Sequence, residues 1–196
     1  MHGFGTRRVD IPARFRNLAT LTQTHSSRCV PAGGRPGVVG HGDALLENAP
    51  GSVVAVKTAD CIPILLVDSR QRAVAAVHAG WRGTAAGIAR RAVEAMRERF
   101  GTLPADLHAA IGPGIGKCCY EVGPEVAARF GEPGRAHIDL AEANRRQLLD
   151  AAVTPERIYA SNLCTMCRPE EFYSFRRDKE AAGRLYSFAG IRQAVQ

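Results

Sequence analysis

Three short apolar runs limit what this chain can fold into more than any other feature. They are Val53 to Lys57 (VVAVK), Ile62 to Val67 (IPILLV) and Ala73 to Val77 (AVAAV). Each is short for a helix and almost continuously apolar, as expected of a strand buried on both faces. The polar turn Asp68-Ser69-Arg70-Gln71-Arg72 joins the second run to the third and predicts an antiparallel hairpin. From Thr84 to Phe100 the pattern becomes helical, with Ile88, Ala92, Val93 and Met96 on one side, Gly101 at the C-cap and Pro104 beyond it. A further strand is expected at Leu107 to Ile111, followed by the glycine-rich GPGIG. Helices are expected over 124–130 and 140–152, and strands over 157–160 and 173–175. The Gly- and Pro-rich stretch from Pro31 to Pro50 reads as a surface loop. Strands alternating with helices predict an α/β (α+β) fold, a mixed β-sheet flanked by helices in one domain over residues 1–196.

Composition narrows the function classes. At 196 residues with 45% hydrophobic content, the chain can bury a core. Nothing approaches the roughly 18 consecutive apolar residues of a membrane span. The opening Met1-His2-Gly3-Phe4-Gly5 lacks the apolar stretch of a secretory leader, so a cytoplasmic protein is expected. The formal net charge is +7, and only three of the 26 basic residues are lysines. The arginines are scattered or paired, without a basic run or an aromatic–basic motif, which argues against nucleic acid and for anionic small molecules.

Two positions stand out among the six histidines and six cysteines. His78 ends the AVAAV run and leads through Ala79-Gly80-Trp81-Arg82-Gly83 into the helical segment. A polar residue at a strand end, beside a glycine turn and a helix start, is where α/β proteins place sites. Cys61 stands at the mouth of the preceding run. If the two runs pair as a hairpin, Cys61 and His78 are neighbours in any register, as half a metal site or as a nucleophile–base pair. His2, His41, His108 and His137 have no such company, and His25 cannot be placed from its surroundings. Cys164-Thr-Met-Cys167 is a lone CxxC; the adjacent Cys118 and Cys119 are a possible second pair, though ordinary thiols near the site are the plainer account.

These stretches resemble the laccase-domain family, the YfiH-like group once described as multicopper polyphenol oxidases. The resemblance rests on KTADCIPILL from Lys57, VHAGWRG from Val77, IGPGIG from Ile111, YEVG from Tyr120 and FYSFRRD from Phe172, with QTH ending at His25. It implies a YfiH-like fold and one metal, zinc or alternatively copper, held by His25, Cys61 and His78. It also implies phosphorolysis of purine nucleosides, including methylthioadenosine, together with deamination of adenosine. The partners are then a small-molecule nucleoside and phosphate, with no nucleic acid and no membrane, for a monomer or small homo-oligomer. Arg82, Arg176 and Arg177 are the candidate phosphate ligands, and Asp60, beside Cys61, is a candidate proton carrier. Only fourteen residues separate Arg8 from Gln23, where the family carries a longer segment, so the domain looks shortened on its N-terminal side. Three other readings stand beside this one: a copper-dependent polyphenol oxidase, a metal-free Cys–His hydrolase or deamidase, and a non-catalytic metal-binding protein. The chain has no His-x-His pair, the element from which a trinuclear copper cluster is built.

Overall fold

A computed structural model of the chain describes residues 1–193. In chain order the elements are β1 (His2–Phe4), α1 (Ile11–Arg14), β2 (Leu18–Thr22), β3 (Cys29–Pro31), β4 (Gly37–His41), β5 (Ala44–Glu47), β6 (Val53–Thr58), β7 (Ile62–Asp68) and β8 (Ala73–Ala79). There follow α2 (Trp81–Ala85), α3 (Ile88–Phe100), β9 (Leu107–Ile111), β10 (Glu121–Val122), α4 (Pro124–Ala127), β11 (Ala136–His137), α5 (Leu140–Asp150), β12 (Ile158–Ala160), α6 (Phe175–Asp178) and β13 (Leu185–Gly190). The fold is mixed α/β, as the alternation of strands and helices predicts.

Two mixed sheets pack face to face, and helices cover the outer face of one. The first sheet runs β1-β13-β6-β2-β4 and the second β12-β9-β7-β8-β5-β3. Period-2 alternation divides the apolar residues between two cores. In β8, Ala73, Ala75 and Val77 face α3 and α5, while Val74 and Ala76 face the first sheet. In β7, Ile62, Ile64 and Leu66 take the helical side and Leu65 the inter-sheet side. His78, next after Val77, therefore points to the inter-sheet side, where β6 hands the chain across from one sheet to the other.

The hairpin is formed as expected, with Ile62 opposite Ala79 and Pro63 opposite His78. Several other expectations need correction. The helix read from Thr84 is two helices, because Gly87 adopts φ +78° and breaks the ladder between α2 and α3. The stretch from Pro31 to Pro50 is not simply a loop: it holds β4 and β5, and β5 is buried along its whole length against β8. Tyr173-Ser174-Phe175 is not a strand; Ser174 caps α6 by accepting from Arg177 N. The closing strand is instead β13, whose six residues pair with β6. For β5 and β13 a weak local pattern yields to pairing with a distant strand.

Candidate active site

His25, Cys61 and His78 converge although they come from three separate parts of the chain, and their ligand atoms lie within 4.8 Å of one another. Cys61 and His78 are brought together by the β7–β8 register. His25 arrives by a different route. The Gln23 side chain extends the pairing of β2 with β6: its Nε2 donates to Lys57 O at 2.7 Å and its Oε1 accepts from Lys57 N at 2.8 Å. Beyond that anchor the chain turns sharply, with His25 at φ +57°.

Asp43, fully buried just before β5, holds that turn. Its carboxylate accepts from the backbone N–H groups of Thr24 (3.3 Å), His25 (3.0 Å) and Ser26 (2.6 Å), and from Ser26 Oγ at 2.7 Å. Its Oδ1 also lies 2.8 Å from His78 Nδ1. One acid therefore positions two of the three donors, leaving His78 Nε2 to face Cys61. No sequence motif marks Asp43 as part of the site. The available signal was an acid set directly before the apolar run Ala-Leu-Leu.

The electrostatics follow from this packing. Burial opposes charge on Asp43, yet the bonds from His78 and Ser26 outweigh it and hold the carboxyl well below its usual range. Burial also opposes charge on His78, but its bonds to Asp43 and Cys61 raise it to about 9. For Cys61 burial works against the thiolate, and the two histidines overcome it, lowering the thiol to about 6. Two imidazoles and an easily formed thiolate, with one imidazole backed by a carboxylate, are the donor chemistry of a three-ligand metal site. Gly80 makes the approach possible: a Cβ there would stand 2.9 Å from Cys61 Sγ and 3.2 Å from His25 Cδ2.

The three donors open into a cavity of about 720 Å³. Apolar Leu21, Ile115 and Leu140 and the rings of Tyr120 and Phe175 form part of its wall; Lys57, Arg176, Lys179 and Arg184 add positive charge. Of the three arginines expected to bind phosphate, Arg176 stands on this wall, 5.3 Å from the Tyr120 ring. Arg82 is exposed and stacks over Trp81 at 4.4 Å. Arg177 is spent internally, on the carbonyls of Thr165, Met166 and Phe172 and on Asp178. Asp60 also lines the cavity, but Thr165 Oγ1 (2.6 Å) and Arg176 N (2.7 Å) occupy its two oxygens. Lys57, Lys179, Arg184 and Tyr120 were not picked out from sequence, although Lys57 is one of only three lysines and opens the segment leading to Cys61.

A family model described as "Multi-copper polyphenol oxidoreductase laccase" matches residues 6–192. Over 185 residues the chain is 42% identical to a purine nucleoside phosphorylase of Deinococcus radiodurans, covering 89% of this chain and 70% of that protein. It is 42% identical over 163 residues to adenosine deaminase RL5 of an unknown prokaryotic organism, covering 76% of this chain and 61% of that protein. The crystal structure of YlmD from Geobacillus stearothermophilus superposes with a TM-score of 0.86 at 35% identity, covering 90% of this chain and 74% of that one. The chain spans 59 to 76% of the length of curated relatives that it matches, and 60 to 70% of three of them.

Proposed function

The chain belongs to the multi-copper polyphenol oxidoreductase laccase family, and from that premise we propose that it is a zinc-dependent purine nucleoside phosphorylase that also deaminates adenosine and accepts methylthioadenosine. One observation carries this reading: the His25–Cys61–His78 donor set opens into a cavity that combines aromatic rings with four cationic side chains. The names of the relatives, a purine nucleoside phosphorylase and an adenosine deaminase, support the same chemistry.

Each wall has a task in this scheme. Tyr120 and Phe175 flank the purine, and Leu21, Ile115 and Leu140 give the cavity apolar surface suited to a methylthio group. Arg176, with Lys57, Lys179 and Arg184, holds phosphate close to the sugar. In phosphorolysis a phosphate oxygen attacks C1′ as the bond to the purine nitrogen breaks, so fixing both partners accounts for much of the rate. In deamination water adds at C6 of the purine and ammonia leaves. His25, Cys61 and His78 would hold the zinc, which when bound would supply Lewis-acid polarisation. His78 is kept in one orientation by Asp43, and Asp60 positions Arg176 through its backbone N–H.

The donors also bear on the metal. Copper favours nitrogen and sulfur ligands as well, but an oxidase of the laccase type needs several more histidines beside the first site. Among the described residues His2, His41, His108 and His137 lie on four different strands, and the other cluster of metal-type donors contains only cysteines. A second reading, the metal-free Cys–His hydrolase, draws support from the same lowered Cys61 and raised His78.

Incubation with adenosine, with and without phosphate, tests the proposal. Adenine formed only with phosphate, and inosine formed either way, is the expected result. Neither product from zinc-loaded protein would overturn it. Activity that persists after complete metal removal but disappears in Cys61→Ala would favour the hydrolase.

A further inference from the structure

A second cluster lies outside the donor set, and none of its residues lines the cavity. Cys118, Cys119, Cys164 and Cys167 bring all four sulfurs within 4.8 Å of one another. Cys167 Sγ is 3.3 Å from Cys119 Sγ and 3.7 Å from Cys118 Sγ. A tetrahedral zinc ion with zinc–sulfur bonds of about 2.3 Å sets its sulfurs roughly 3.8 Å apart. The spacing therefore suits a single ion at the centre. A multi-iron cluster places several metal atoms between its thiolates and needs wider separation. Nor does the geometry select a disulfide, because Cys167 has two competing partners at similar range.

The surrounding backbone is arranged around these sulfurs. Gly116 N–H donates to Cys164 Sγ at 3.2 Å, the kind of bond that stabilises a ligating thiolate. A Cβ on Gly116 would meet Cys118 Sγ at 3.3 Å and Cys164 Cβ at 3.2 Å, so the position is kept bare where the sulfurs crowd. Gly114 and Cys164 form an isolated parallel bridge, and Thr165 N–H donates to Gly114 O at 2.9 Å. The four cysteines thus sit where two segments distant in sequence are already aligned.

We propose that these four thiolates bind one structural zinc ion, in a closed tetrahedral site separate from the His25–Cys61–His78 set. The ion staples the glycine-rich segment after β9 to the segment between β12 and α6. Both segments carry cavity wall or its supports: Ile115 and Tyr120 on one side, and on the other Thr165, which holds Asp60 and through its carbonyl Arg177. The role is independent of the reaction assigned to the cavity.

The test uses the full chain, purified with zinc present under reducing conditions, and counts metal per chain. Wild type is expected to hold about two zinc ions, and Cys61→Ala and the double variant Cys119→Ser/Cys167→Ser about one each. Cobalt loaded into Cys61→Ala, which keeps all four cysteines of the cluster, should give the strong sulfur-to-cobalt charge-transfer absorption of a thiolate site. Stripping the metal from that variant should lower its Tm by about 5 °C or more. The cobalt and melting measurements do not depend on the double variant folding. The proposal is overturned if reduced Cys61→Ala binds no zinc and gives no such absorption. A disulfide between two of the four cysteines that persists under these reducing conditions with zinc offered overturns it equally. Loss of nucleoside turnover with the cluster's zinc retained counts against the proposed function alone.

Discussion

Asp43 Oδ1 and His78 Nδ1 lie 2.8 Å apart, both buried, 35 residues apart in sequence. The same carboxylate receives the three N–H groups of the turn that carries His25. A side chain that would bind no metal itself therefore fixes the geometry of two that would. Asp43→Asn keeps the size but replaces one acceptor oxygen with a donor facing donors. Metal affinity should fall about 10- to 100-fold, measured by chelator competition, with a lower Tm in the metal-free protein.

Cys61 gives a pH prediction for the metal-free chain. Its thiol lies at about 6 rather than the ordinary 9.0, and the thiolate is the reactive form. Alkylation at Cys61 should already be near its plateau at pH 7 and should drop as pH falls below about 6. Cys29, pushed up by burial to about 11, should remain slow across that range. Peptide mapping after timed iodoacetamide treatment reads both. Added zinc should protect Cys61, and a Cys61 profile rising only near pH 9 would contradict the thiolate assignment.

Gly80→Ala separates the site from the fold. Gly80 has φ −73°, so alanine costs little in backbone strain, but its methyl would press on Cys61 Sγ and His25 Cδ2. Metal binding should weaken about tenfold or more with the circular dichroism spectrum unchanged, the size of effect expected when a ligand is displaced by a few tenths of an ångström.

Arg176 and Arg177 are neighbours with different tasks. Arg176→Ala should raise the KM for phosphate by roughly tenfold through the loss of one charged contact, and should leave adenosine deamination, which uses no phosphate, nearly unchanged. Arg177→Ala removes a guanidinium bonded to three carbonyls and Asp178. It should cost about 2 to 4 kcal/mol of stability, read by denaturant unfolding. Arg82→Ala, far more exposed on Trp81, should alter the phosphate KM little.

The amino-acid pattern by itself determined the elements whose information is local. An apolar run, a polar turn and a second apolar run make the β7–β8 hairpin, and that pairing alone brings Cys61 beside His78. The motifs also carried the resemblance on which the three-donor set was expected. Where competing partners lay far along the chain, the pattern misled. Residues 37–47 look like loop because their glycines are local, yet β4 and β5 form because β2 and β8 offer open edges. Tyr173 to Phe175 look extended, yet Ser174 caps a helix whose start is tied to Asp60, 116 residues away, through Arg176 N–H.

Only the tertiary structure decided which charged side chains serve the site and which serve the scaffold. Arg82, Arg176 and Arg177 look alike in the sequence; packing sends one to a tryptophan face, one to the cavity and one into backbone carbonyls. It also recruited Asp43 to orient His78 and gathered four cysteines whose two pairs lie more than 40 residues apart. The physical reason is range. Strand and turn preferences act over a few neighbouring residues, whereas a carboxylate buried against an imidazole or a thiol among thiols depends on contacts that exist only after the sheets have packed.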